Sequence, residues 1–120
     1  DQRIGLLRTP VKLRIKKGMI TNIYSSSKKV IRLLNKIFKK HNSKAKILAE
    51  IGIGMNKKSV LTGNMLTDEG TYGCIHFGFG SNFSVGGKNK VNFHLDFVTK
   101  KHSLYIDEKK IIENGKILVK

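Results

Sequence analysis

The sequence predicts an α+β fold, a mixed or antiparallel sheet with one amphipathic helix on it, in a single domain spanning residues 1–120. Three observations carry the prediction. Apolar residues alternate with period two in several short runs, a single stretch repeats them at helical spacing, and clusters of Gly, Asn and Ser punctuate the runs. A chain of 120 residues suits one domain large enough for a real core.

Residues 11–16, VKLRIK, alternate, Lys17-Gly18 reads as a turn, and MITNIY over 19–24 returns, which makes a hairpin. Ser25 to Ser27 offer N-caps for a helix over about 27–41. Its apolar residues Val30, Ile31, Leu33, Leu34, Ile37 and Phe38 recur at i, i+3, i+4 and i+7, one stripe facing the core. KILAEIGIG (46–54) reads as a buried strand ending in glycines, with a loop following through Asn64. TYGCIHFGFG (71–80) and KVNFHLDFV (90–98) are two further strands joined by a Gly/Ser/Asn loop. SLYID and KIIENGKILVK close the chain as short strands around Glu108 and an Asn114-Gly115 turn.

The formal net charge is +16, and from Gln2 to Ala49 fourteen Lys or Arg occur with no acid. Such a stretch attracts polyanions. Lys outnumbers Arg twenty to four, however, and no aromatic residues alternate with the basic ones. Arg is the usual fork for bases and phosphates, so a solvated lysine surface is favoured and sequence-specific nucleic-acid recognition is not expected. No run of about 18 apolar residues and no charged-then-apolar leader is present, so neither a membrane span nor a secretory signal is expected. The lone Cys74 cannot form an intramolecular disulfide and fits a reducing, cytoplasmic setting.

Polar residues interrupt the apolar strands at a few places. Glu50 breaks ILAEIGI, His76 breaks CIHFGF, and His94 with Asp96 breaks NFHLDF. Residues i and i+2 of a strand share a face, so His94 and Asp96 project together while Phe93, Leu95 and Phe97 line the other side. A carboxylate buried without a partner costs on the order of several kcal/mol or a large pKa shift. Convergence of these four groups on a divalent transition metal, Zn, Co, Mn or Fe(II), offsets that cost. Taken singly, a core histidine is more often a hydrogen-bonded structural residue, and a lone Glu50 is more simply a strand-edge charge. Asp68 and Glu69 beside Gly70 read most simply as a solvated turn, His41 ends the basic helix, and His102 lies among lysines.

In order along the chain, LAEIGIGMN, TGNMLTDEG, GCIHFGFGSN and GGKNKVNFHLDFV resemble the C-terminal catalytic-domain portion of the aminopeptidase T type of metallopeptidases. The resemblance covers about Gly5 to the end and is strongest from Leu48 to Val98. It implies Glu50, His76, His94 and Asp96 as metal ligands and Glu69 as an acidic residue near the catalytic site. It also implies two divalent ions, a metal-activated water and a peptide substrate, with a homodimer as a further expectation. This chain departs from the family at Phe83, where the family has a tyrosine. The family's upstream Gly-Glu ligand would precede Asp1, so a preceding portion or a partner chain is expected to supply it. Ring-cleaving pyridine dioxygenases resemble the same family, and His76, His94 and Asp96 form the two-histidine, one-carboxylate set of mononuclear non-haem Fe(II) sites. A third reading is a non-catalytic remnant that binds a metal or a polyanion.

Overall fold

The computed structural model describes residues 5–60, 62, 65–100 and 102–119. Its elements are β1 (Lys12–Lys16), β2 (Met19–Tyr24), α1 (Lys28–Lys39), β3 (Leu48–Ile53), the single turn α2 (Met65–Asp68), β4 (Ile75–Gly80), β5 (His94–Thr99), β6 (Leu104–Ile106), β7 (Lys109–Glu113) and β8 (Lys116–Ile117). Strands β1 and β2 form a two-stranded sheet, β3-β4-β5 a three-stranded one in that order, and β6-β7-β8 a meander. The α+β expectation holds, and α1 is the one helix longer than a turn among the described residues. None of these helices is long and apolar enough to cross a membrane. The chain divides into two compact units, 2–50 with 78–95 and 51–77 with 96–120, and β3, β4 and β5 each contribute residues to both.

In the first unit β1 and β2 pair antiparallel, closed by Lys17 and Gly18 at φ 51° and 73°. Both turn residues are left-handed, as a type I′ hairpin requires. Helix α1 starts where the serines predict: the Ser27 hydroxyl accepts from the Val30 N–H at 3.3 Å. That bond satisfies one of the helix's otherwise orphaned donors. Leu34, Ile37 and Phe38 are its buried stripe, and Val30, Ile31 and Leu33 flank it half-buried. The Phe38 ring meets Phe79 edge-on at 6.5 Å between centroids and Phe93 at 5.7 Å, which seats the helix on strand residues of the same unit. Full burial of a side chain of this size contributes roughly 1.5–3 kcal/mol. The outer face of α1 carries Lys28, Lys29, Arg32, Lys36, Lys39 and Lys40, all exposed.

In the second unit the Gly54 N–H donates to the Cys74 carbonyl at 2.8 Å, and the Thr99 hydroxyl donates to the Ile75 carbonyl. The meander turns at Asp107-Glu108 and Asn114-Gly115, all four residues at positive φ. Ile75 on β4 and Ile112 on β7 are the largest fully buried side chains of this unit. Burial pushes the Cys74 thiol pKa up, and the negative charge of Asp68 adds to the rise, so this cysteine stays a protonated core residue.

Two expectations change. The run 46–54 is not a buried strand, since β3 lies at the edge of its sheet and leaves Ile51 and Ile53 exposed at 56% and 39%. Asp68 is buried rather than solvated, because its Oδ1 accepts from the Thr62 N–H at 2.7 Å and the Thr62 hydroxyl at 3.3 Å. The expected loop through Asn64 includes residues 61, 63 and 64, which lie outside the described set.

Candidate metal centre

Strand β5 opens with His94. Phe93 and Leu95 are buried, so alternation turns His94 and Asp96 to the opposite face together. Glu50 lies mid-strand on β3, and its Oε1 is 3.8 Å from His94 Nε2. One donor atom each from Glu50, His94 and Asp96 lies within 4.8 Å of the others. Among the described residues these three form the one such group of histidine, cysteine and acidic side chains. Glu50 and Asp96 are half-buried and His94 is exposed, opening onto a shallow cleft lined by His41, Ser81, Val91, Asn92 and Phe93.

The tautomer of His94 follows from its partner. Nδ1 lies 2.8 Å from the carbonyl oxygen of Ser81. A carbonyl can only accept, so Nδ1 carries the proton and Nε2, the nitrogen beside Glu50, presents the lone pair when the ring is neutral.

These residues fit a divalent ion. The 3.8 Å separation is too long for a hydrogen bond and lies inside twice a metal–ligand bond of about 2.0–2.2 Å. Two carboxylates offset most of a dication's charge, and one imidazole adds the borderline donor that first-row transition metals favour.

Other expected residues lie elsewhere. His76 stands outside the three-residue group. It sits on β4, and its ring crosses β3 at Gly52, where a Cβ would come within 2.0 Å of His76 Cε1. The group therefore has one histidine and two carboxylates, with Glu50 in the place expected for His76 in the mononuclear alternative. Glu69 follows α2 in a half-buried turn and does not join the group either. Phe83 is exposed in the loop after β4, with the Lys90 ammonium 4.9 Å from its ring centroid. Sequence reasoning missed Ser81, whose carbonyl holds the His94 ring, and its neighbour Asn82, whose Nδ2 donates to the carbonyl of Ala49 beside Glu50 at 3.1 Å. The polar Ser-Asn pair directly after a glycine-rich strand and ahead of the His94 strand was the available signal.

Residues 4–119 match the sequence model of the NicX family, described as 2,5-dihydroxypyridine 5,6-dioxygenase. The chain belongs to this dioxygenase family. A 2,5-dihydroxypyridine 5,6-dioxygenase of Pseudomonas putida KT2440 is 28% identical over 121 residues, covering 92% of this chain and 34% of that protein. The solved structure of 2,5-dihydroxypyridine dioxygenase from the same organism superposes with a TM-score of 0.75 at 27% identity, covering 95% of this chain and 35% of that one. The chain thus spans about a third of the length of the dioxygenases it matches.

Family membership overturns the aminopeptidase T assignment and, with it, the hydrolase, peptidase and protease reading and the aminopeptidase label on the fold. The physical reason is that carboxylates and imidazoles around a dication serve hydrolysis and oxygen chemistry alike, so ligand motifs alone do not name the reaction. The ring-cleaving dioxygenase alternative is the reading that the comparisons support.

Proposed function

We propose that this chain is the metal-binding portion of a ring-cleaving dioxygenase acting on a dihydroxylated pyridine, and that Glu50, His94 and Asp96 hold one Fe(II). The observation that carries this reading is the convergence of these three donors in a chain of the dioxygenase family. Three protein donors leave coordination positions open, as oxygen-using mononuclear iron sites need. Bound Fe(II) supplies the one-electron chemistry that lets dioxygen react with an organic ring.

The chain's own residues prepare the site. Glu50 and Asp96 together carry two negative charges, so a dication there is close to neutral before a hydroxypyridine binds. The Ser81 carbonyl keeps the proton on His94 Nδ1, which leaves Nε2 for the ion and fixes the ring plane. In the overall reaction both atoms of dioxygen enter the product as the ring bond between its C5 and C6 breaks. Because the chain spans about a third of its relatives, we assign the remaining substrate contacts to another portion of polypeptide or to a partner chain.

Loading the chain anaerobically with Fe(II), counting retained iron, and then following oxygen uptake with 2,5-dihydroxypyridine tests the proposal. About one iron per chain, with uptake dependent on it, is expected. A chain that retains no Fe(II) refutes the assignment.

A further inference from the structure

We propose that Asn82 is a positioning residue that couples the backbone of the Glu50 strand to the imidazole of His94, so that the two ligands are held as a preformed pair. This rests on the metal-centre reading above. Asn82 immediately follows Ser81, whose carbonyl orients His94 at 2.8 Å. On its other side, the Asn82 side-chain Nδ2 donates to the carbonyl of Ala49 at 3.1 Å, the residue before Glu50. A single amide thus links the group that fixes the ring of one ligand to the peptide unit that carries the other.

Asn82 itself is tightly held. Its Oδ1 accepts from the Asn89 N–H at 3.0 Å. Its backbone N–H donates to the Asn89 carbonyl at 3.1 Å, and its carbonyl accepts from the Gly87 N–H at 2.8 Å. Asn89 in turn donates through Nδ2 to the carbonyls of Gly80 and Lys44, at 2.6 and 2.9 Å. The amide orientation is unambiguous, because the Ala49 carbonyl can only accept and the Asn89 N–H can only donate. The loop is also shaped around this side chain: a Cβ on Gly87 would fall 2.1 Å from Asn82 Cγ and Oδ1.

The position needs a donor and an acceptor on one short planar group. An ionised aspartate has no donor, and it would set a carboxylate against the Ala49 carbonyl. Outer hydrogen-bond partners of metal ligands typically change metal affinity by about 10- to 100-fold when removed, which sets the expected scale.

Two variants of the full chain test the inference, Asn82→Asp and Gly87→Ala, the second pressing its new Cβ first on the Asn82 side chain and without a change of charge. The first readout is the pair of imidazole 15N shifts of His94 in metal-free protein. The wild type is expected as the Nδ1–H tautomer, and both variants as a mixture. The second is affinity for Co(II) and, anaerobically, Fe(II), by calorimetry, expected to fall about 10- to 100-fold in both variants. An added carboxylate near a dication would by charge alone tighten binding, so a fall in Asn82→Asp reports lost geometry. Circular dichroism checks the fold, and should Asn82→Asp not fold, Gly87→Ala carries the comparison. A wild-type His94 in the Nε2–H form overturns the inference, as do variants with the wild-type tautomer and affinity. A wild type that binds neither ion refutes the metal centre instead, while the 15N shifts still decide the role of Asn82.

Discussion

Replacing Gly52 by alanine is expected to strain the second unit through one contact. The new Cβ would lie 2.0 Å from Cε1, 2.5 Å from Nε2 and 2.8 Å from Nδ1 of His76. Ordinary carbon contacts lie at about 3.5–4.0 Å, so the whole ring, not a flexible tip, must retreat by roughly 1.5 Å. Overpacking of this kind costs about 1–3 kcal/mol, and alanine recovers about 0.5–1 kcal/mol of backbone entropy relative to glycine in a strand. The overlap is too large for local adjustment to absorb, so a net loss of about 1–2 kcal/mol is expected. At roughly 4 °C per kcal/mol for a chain of this size, the melting temperature should drop by about 4–8 °C. Urea and thermal melts of the wild type, Gly52→Ala, His76→Ala and the double variant measure the coupling. With His76 trimmed to alanine, the substitution at 52 should become neutral or stabilising. An equal penalty in both backgrounds would refute the reasoning, because the strain would then have another source.

Asp96→Asn preserves shape and hydrogen bonding but removes one of the two anionic donors. It should weaken Fe(II) or Zn binding by at least about 100-fold, more than loss of an outer partner costs, with an unchanged circular dichroism spectrum; unchanged affinity would place the ion elsewhere. Ser27→Ala deletes the cap on α1 and should cost about 1 kcal/mol in urea unfolding, whereas a change below about 0.3 kcal/mol would mean that the helix end finds water instead. Burial lowers the pKa of His102 below 6.5, against a smaller raising effect of its hydrogen bond to Thr99. The unfolded chain therefore binds the proton first, and stability should be fully present above about pH 6.5 and decline as the pH falls toward the folded value. His102→Gln should remove part of that decline between pH 7 and pH 5, and an identical pH profile would show that other groups cause it.

Local chemistry was readable where neighbouring residues decide the outcome. Lys17-Gly18 and Asn114-Gly115 turn where expected, Ser27 caps α1, and period-two patterning on NFHLDF places His94 beside Asp96 on one face. What depends on distant pairing was less readable. The apolar run around Glu50 reads as a buried strand while the lone glutamate reads as an edge charge, and only strand order decides between them; strand order also brings Glu50 rather than His76 to His94. The turn at Asp107-Glu108 falls where the short strands were expected to break around Glu108, although it uses two acidic residues at positive φ in place of a glycine. The reaction was legible only as one of several, since the same donor types hold ions that hydrolyse and ions that handle oxygen.

The edge position of β3 gives its glutamate a second consequence, in solubility. Along 47–56, ILAEIGIGMN, Glu50 is the one charged residue, and Ile51, Ile53 and Met55 are all exposed. Exposed edge strands of this composition recruit further strands from other molecules, and a charge among the apolar residues is the usual deterrent. The carboxylate that would bind the ion also repels a like strand from a second copy. Glu50→Gln should therefore promote clumping as well as weaken the metal site, visible as light scattering that rises with protein concentration. A lysine in place of Ile53 restores a charge to the strand without touching the ligand, and it separates the two effects in any study of this glutamate.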